Sequence, residues 1–328
     1  MLVNVLILVL GLALIIKGGD WFVGASLRIA ELLRMPRVVI GSTLVSLATT
    51  TPELTVSVMA GSKGEPGLAV GNAIGSCICN VGLILGVTAA LKRVEVHLRV
   101  LRVPLIALFG FAALLFVMML DLSLSRWRGA VLVAGGLAYF VYDFVHHARE
   151  PKASDKGEPP ASGQVLTSRF PWFQSRTGSV AQFLLGAVVV VIGSRLLVDA
   201  GVSLAGALGI PSIIVGLTVV AVGTSVPELV TAVTSSRKDV SDLALGNVLG
   251  ANIANLTIIV GVAAMMSEVR MSRATQLVNF PALLAVFGLL LWMLLNDRQV
   301  SRKEGVALLV TYSFYLCALV FLAAGLKK

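Results

Sequence analysis

Ten runs of about 20 apolar residues follow one another along the chain, at 2–27, 37–61, 67–91, 103–122, 129–147, 180–208, 211–236, 243–267, 277–295 and 304–325. Each is long enough to cross the hydrocarbon core of a bilayer as a helix. A soluble core could not hide them, because 57% of the 328 residues are hydrophobic and only 13% are charged. Membrane β-barrels alternate apolar and polar residues in short segments, whereas these runs are continuous and rich in Leu, Val, Ala and Gly. The sequence therefore predicts an all-α polytopic membrane protein of ten transmembrane helices, with the lipid bilayer as its surroundings.

The basic residues give that array an orientation. Counted along the ten runs, one side carries 17 Lys and Arg, among them Arg28, Arg34, Arg37, Lys92, Arg149 and Arg237, and the other carries 7. The richer side is expected in the cytoplasm of a cell (inner) membrane protein, with both termini outside. The net charge of +9 is thus a consequence of topology, and no nucleic-acid partner is inferred from it. The first run has no basic leader and no small-residue cleavage site, so it is read as a retained helix. Cys77, Cys79 and Cys317 all fall within runs, with no metal spacing, and read as small buried hydrophobes. His97, His146 and His147 fall at run edges, where a solvated or headgroup-facing role is expected. Residues 149–178 are rich in Pro, Ser, Gly and charge and read as a cytoplasmic linker, too short for a regulatory domain.

The linker separates two halves, 1–148 and 179–328, and the halves repeat. Residues 36–87 align with 211–262 without a gap at an offset of 175: Pro36 falls on Pro211, Gly41 on Gly216, Thr49 on Thr224, Pro52-Glu53-Leu54 on Pro227-Glu228-Leu229, Gly71-Asn72 on Gly246-Asn247 and Asn80 on Asn255. Five runs per half is an odd number, so the second half must enter the membrane from the opposite side. Two inverted five-helix repeats with a site between them at the midplane are the arrangement of many secondary transporters.

The repeated segment holds a carboxylate where none is cheap. Within ATTTPELTVS, residues 48–57, Pro52 lacks an N–H and deprives the Ala48 carbonyl of its helical partner; Pro227 does the same to Gly223. Glu53 shares a helix face with Thr49 and Thr50, and Glu228 with Thr224 and Ser225. A charge at the bilayer centre costs about 3 kcal/mol on insertion scales, and no Lys or Arg is placed to neutralise both. Two such glutamates call for one divalent cation or two monovalent ones. The following runs, GNAIGSCICN and GNVLGANIAN, add polar stripes of Asn72, Ser76 and Asn80 and of Asn247 and Asn255, with glycines alongside for close helix approach. Carboxylates, amide carbonyls, hydroxyls and backbone carbonyls together form the oxygen ligand set of Ca2+.

These two segments, GSTLVSLATTTPELTVSVMAG with GNAIGSCICNVGLILG and GLTVVAVGTSVPELVTAVTSS with GNVLGANIANLTIIVG, resemble the two repeats of the cation/Ca2+ exchanger superfamily, most closely its prokaryotic sodium/calcium exchangers. The resemblance extends over all ten runs. It implies a secondary antiporter exchanging Ca2+ for Na+ by alternating access, in which Glu53 and Glu228 bind the ions at the centre and the carbonyls of Thr49 and Thr224 complete the Ca2+ shell. By the same resemblance Ser46, Thr50, Ser76, Asn80, Ala221, Ser225 and Asn255 match positions lining flanking Na+ sites, and helices 2–27 and 180–208 form the gating pair. Ca2+ and Na+ bind as substrates, no resident cofactor is implied, and the expected working unit is a monomer. Two departures bear on the coupling ion: Ala251 and Asn255 stand where such exchangers often have Ser and Asp, so the site has two carboxylates rather than three. An H+/Ca2+ antiporter using the same glutamates is the alternative. The chain has no G-x-S-x-G, no H-E-x-x-H and no arginines clustered for phosphate, so an intramembrane enzyme is not expected. A passive channel also uses oxygen rings, and counter-transport against a gradient separates the two.

Overall fold

The computed structural model describes residues 2–62, 66–95, 98–149, 175–207, 221–271, 273–296 and 299–325. Most of the expected linker, and residues 211–220 of the second repeat motif, lie outside them. The described chain is helical throughout, apart from four two-residue strands. In order it runs α1 Leu2–Leu33, α2 Arg37–Thr49, α3 Thr51–Ser62, α4 Pro66–Cys79 continuing through Asn80–Leu85 into Gly86–Leu91, strand β1 Val94–Glu95, α5 Leu98–Met118, β2 Ser123–Leu124 and α6 Arg126–Arg149. It resumes with α7 Arg176–Ala207, α8 Ala221–Thr224, α9 Val226–Arg237, α10 Ser241–Ala254 continuing through Asn255–Ile259 into Val260–Met266, β3 Val269–Arg270, α11 Arg273–Asn296, β4 Gln299–Val300 and α12 Arg302–Gly325.

Seven of these helices are long and apolar enough to cross a membrane. They fall on the first, third, fourth, fifth, sixth, eighth and ninth expected runs. The second expected run, 37–61, is interrupted: α2 ends at Thr49, and Thr50 has φ −77° and ψ 7° before α3 begins. Ser225 interrupts the seventh run in the same way, with φ −90° and ψ 12°. Both breaks fall two residues before the proline. The proline ring clashes with the carbonyl four residues back, and the backbone turns just upstream to relieve it. Pro104 and Pro281, by contrast, lie within continuous helices.

Burial sorts the helices into a centre and a periphery. Of the most apolar stretch of Ser241–Met266, 83% is buried, and of Ala69–Leu91, 72%; for Leu2–Leu33 the figure is 22%. Helix Leu2–Leu33 is apolar over most of its length and mostly exposed, as suits a helix at the periphery of a membrane protein. Glycine lets the central helices approach closely. A Cβ at Gly250 would meet the Ser42 carbonyl carbon at 2.6 Å, and one at Gly246 would meet the Val38 carbonyl carbon at 2.9 Å. These contacts press α10 onto α2.

Pairings recur at the sequence offset. β1 pairs antiparallel with β4, joining Val94 to Val300, and β3 pairs with β2, joining Val269 to Leu124. Gly86 packs against Gly305, as Gly261 packs against Gly129. In each case the second pair lies 175 or 176 residues from the first with the partners exchanged. The long helices α1 and α7 lie along each other, with Gly11 and Gly193 in mutual backbone contact and the Phe22 and Phe183 rings 4.7 Å apart. α1 runs six residues beyond its expected end at 27, carrying Arg28 into a buried position where it donates to Gln182 Oε1 at 3.1 Å. It ends in a left-handed turn at Arg34, φ 56°, with the Met35 N–H on the Ala30 carbonyl and buried Met35 covering the turn.

Two smaller expectations need correction. Cys77 and Cys79 are buried, but Cys317 is exposed, because the face of α12 that carries it points away from the protein. His147 is buried rather than solvated, since it folds back on Asp143 one turn earlier. His97 lies outside the described residues.

Candidate ion-binding site

Glu53 and Glu228 are both fully buried, each in the first turn of the helix that follows a break. That position sets the carboxylate near the free N–H groups of a helix start, where negative charge is favoured. Ser225 Oγ donates to Glu53 Oε1 at 3.1 Å, so a residue of one half reaches the glutamate of the other. Glu53 Oε2 and both carboxylate oxygens of Glu228 have no hydrogen-bond partner among the described residues. Neither glutamate forms an ion pair with a described Lys, Arg or His. A buried carboxylate with open lone pairs and no cation is costly.

At the first helix break the neighbouring backbone oxygens are satisfied by other donors. Thr50 N–H donates to the Ser46 carbonyl and Leu54 N–H to the Thr50 carbonyl, while the Ala48 carbonyl, robbed of its partner by Pro52, accepts the Thr51 hydroxyl at 2.9 Å. The Thr50 hydroxyl turns back on the Ser46 carbonyl at 2.8 Å. Thr49 Oγ1 donates to Asn247 Oδ1 at 3.1 Å, tying α2 to α10.

Two of the candidate asparagines keep an open amide oxygen. Asn80 Nδ2 donates to Asn252 Oδ1 at 3.0 Å and Asn255 Nδ2 donates to the Ala251 carbonyl at 3.0 Å. With the nitrogens held, Asn80 Oδ1 and Asn255 Oδ1 are left buried and unpartnered. Each of these residues opens a π-helical stretch, Asn80–Leu85 and Asn255–Ile259, a widened turn often found at functional sites. Ser76 Oγ is likewise buried with no partner among the described residues.

The remaining sequence-derived candidates are placed as follows. Ser46 is buried, with its hydroxyl on the carbonyls of Ser42 and Thr43 at 2.9 and 3.0 Å. Thr224 and Ser225 are buried at the second break. Ala221 opens α8, and its side chain lies outside the described ones. Hydroxyl and amide oxygens therefore outnumber carboxylates, and among the described residues no group of three or more His, Cys, Asp and Glu converges. Such a donor set suits hard cations and not soft ones.

Two contributors were not singled out from the sequence. Asn252 holds the Asn80 amide, and its backbone carbonyl lies 3.6 Å from Cys77 Sγ. Cys77 and Asn252 are themselves 175 residues apart, so aligned positions of the two halves touch each other. Asn247, in the sequence one member of a polar stripe, is the acceptor for Thr49. The repeat register carried a signal for both, since each partners a candidate residue of the opposite half.

Comparison with known proteins agrees with this geometry. A family model described as sodium/calcium exchanger protein matches residues 3–145 and 178–321. The sodium/calcium exchanger MaX1 of Methanosarcina acetivorans is 31% identical over 98% of this chain and 99% of its own. Inner membrane protein YrbG of Escherichia coli (strain K12) is 33% identical over 98% of both chains. Among solved structures, the sodium-calcium exchanger NCX_Mj soaked with zero Na+ and Ca2+ is similar with a TM-score of 0.81 and 30% identity, over 97% of this chain and 99% of that one. Long apolar helices around a pair of cation-deficient glutamates, matched over nearly the whole chain by these proteins, place it among membrane transporters and not enzymes: the chain belongs to the sodium/calcium exchanger protein family.

Proposed function

We propose that the chain is a secondary antiporter that exchanges Ca2+ for Na+ across the cell (inner) membrane by alternating access. Ca2+ is held by the carboxylates of Glu53 and Glu228 and the backbone carbonyls of Thr49 and Thr224. Na+ occupies flanking positions among Ser46, Thr50, Ser76, Asn80, Ala221, Ser225 and Asn255. The observation that carries this reading is the paired arrangement of unpartnered buried oxygens, on Glu53 and Asn80 of one half and on Glu228 and Asn255 of the other. Two carboxylates neutralise one Ca2+, and neutral oxygens complete its shell of six to eight ligands.

The architecture we propose is ten membrane crossings in two inverted five-helix repeats, 1–148 and 179–328, with 149–178 cytoplasmic and both termini outside. The exchanged strand and glycine pairings at an offset of 175 or 176 support the repeat, and the distribution of Lys and Arg supports the orientation. In this reading α1 and α7 are the gating pair, sliding against the central helices to expose the glutamates to one side at a time. The working unit is a monomer, since each protomer holds both glutamates.

The alternative is H+/Ca2+ antiport, in which two protons replace Ca2+ on the glutamates. It is favoured by Asn255, which leaves the site without a third carboxylate. Uptake of radioactive Ca2+ into proteoliposomes under an imposed outward Na+ or H+ gradient separates the two. Na+-driven uptake that a membrane potential alters supports the main reading, because three Na+ against one Ca2+ would move one net charge, worth about 2.3 kcal/mol per 100 mV. Uptake that ignores Na+ and collapses with the pH gradient supports the alternative.

A further inference from the structure

A cavity of about 470 Å3 runs between α1 and α9, and none of the ion-site residues borders it. Its walls are aliphatic, chiefly Leu12 and Ile16 of α1 and Val230 and Val233 of α9. Leu12 and Ile16 are exposed, so the crevice opens toward the lipid. Asp20, Arg237 and Lys238 border its other end. Leu12 to Asp20 and Leu229 to Arg237 are equal stretches of helix, each about 12 Å long at 1.5 Å per residue. The slot therefore has an apolar depth and a charged mouth. Gly19 lets the two helices meet beside it, since a Cβ there would lie 3.2 Å from Thr234 Oγ1.

The mouth is short of one anion. Lys238 Nζ donates to the Asp20 backbone carbonyl at 3.2 Å and lies 3.3 Å from the Asp20 carboxylate. Arg237 is exposed, with no ion-pair or hydrogen-bond partner among the described residues. Two basic side chains and one acidic one leave the mouth with one net positive charge. That charge repels Ca2+ and Na+, and only Thr234 and Asp20 bring side-chain oxygen to the lining, so the crevice is no path for a hard cation. Nor does the repeat account for it: at the offset of 175, Arg237 falls on Ser62 and Asp20 on Arg195. The charged mouth belongs to one half alone.

We propose that this crevice binds one anionic phospholipid from the leaflet on the side bearing Arg237, with an acyl chain between α1 and α9 and the headgroup phosphate on Arg237. The aliphatic walls take hydrocarbon, and a guanidinium offers phosphate two parallel N–H donors. A zwitterionic lipid brings its own cation to a mouth that is already positive, whereas an anionic one neutralises it. α1 is one of the gating pair in the exchange proposed above, so a chain wedged here bears on a helix that moves. That consequence rests on the exchange reading; lipid binding itself does not.

The test uses the full chain, stripped of lipid in mild detergent and resupplied with dioleoyl phosphatidylglycerol or dioleoyl phosphatidylcholine, with retained lipid read by native mass spectrometry. The wild type should retain one phosphatidylglycerol about fivefold more readily than phosphatidylcholine, the ratio that one basic residue facing an anionic headgroup supplies. Arg237→Gln should lose this preference, and Val233→Trp, whose indole fills the slot, should lose the lipid. Arg102→Gln, which removes an exposed arginine of α5 that does not border the crevice, should keep both. Phosphatidylglycerol should also raise the wild-type melting temperature, and glycerol phosphate alone should not. Equal retention of the two lipids, a wild-type preference in Arg237→Gln, the same loss in Arg102→Gln, or an equal rise with glycerol phosphate overturns the proposal. If Val233→Trp does not fold, Arg237→Gln decides, since its side chain is exposed. None of these readouts involves Ca2+ flux, so a chain that binds the lipid but exchanges no Ca2+ would overturn the exchange reading and leave the lipid site standing.

Discussion

Asn252 meets the candidate ligands through Asn80, which makes it a sharp probe of how that amide is aimed. In Asn252→Ala the Asn80 amide loses the oxygen to which it donates at 3.0 Å, and a buried N–H2 group is left open. An orphaned buried donor costs about 1–3 kcal/mol. Asn80 recovers part of that by rotating, and rotation takes its Oδ1 off the proposed Na+ position. Losing one neutral Na+ ligand at about 1 kcal/mol corresponds to a roughly fivefold weaker Kd. Calorimetric Na+ titration of the purified protein should register this loss, with thermal unfolding lowered by the remaining cost. Asn252→Asp keeps an acceptor at the same place and should bind Na+ far closer to wild type. If Asn252→Ala binds Na+ as wild type does while Asn80→Ala is weakened, the amide tether does not orient the ligand and that part of the reasoning fails.

Gly250→Val puts a Cβ 2.6 Å from the Ser42 carbonyl carbon, so overpacking should cost about 1–3 kcal/mol, visible as a lower melting temperature in detergent; an unchanged melt would mean that α10 and α2 are less tightly pressed than described. Asn255→Asp should add a third carboxylate, tighten cation binding and slow turnover, since a transport site must also release its ion; calorimetry with flux measurements checks both, and weaker binding of Na+ and Ca2+ alike would take Asn255 out of the site. A cysteine added near residue 155 should be labelled from the cytoplasmic side alone and one added at residue 328 from outside alone; labelling of both from one side would mean an even number of crossings between them.

Much of this architecture can be read from local chemistry. The apolar runs announce helices because lipid leaves the backbone no other way to satisfy its hydrogen bonds. Glu53 and Glu228 stand out because a doubled charge in an apolar run has a cost that only a partner offsets. Proline announces a break, but its place is set by tertiary packing: Pro52 and Pro227 each move the irregular residue two positions upstream, whereas Pro104 and Pro281 interrupt nothing. The π-helical stretches at Asn80 and Asn255 carry no composition of their own, because one widened turn depends on what packs beside it. The pairing of Asp143 with Ser42 spans 101 residues, and no repeat flags it. Cys317 and His147 show the same limit, since the face a helix turns inward is decided by neighbours far away in sequence.

The central claim is that Glu53 and Glu228 together hold the transported ion. Purified Glu53→Gln and Glu228→Gln variants, each isosteric with the parent, should be tested for radioactive Ca2+ uptake into proteoliposomes beside the wild type. Both should be folded and both should lose transport, because each removes a negative oxygen that nothing nearby replaces. Near-normal uptake by either variant would contradict the account and remove that carboxylate from the site.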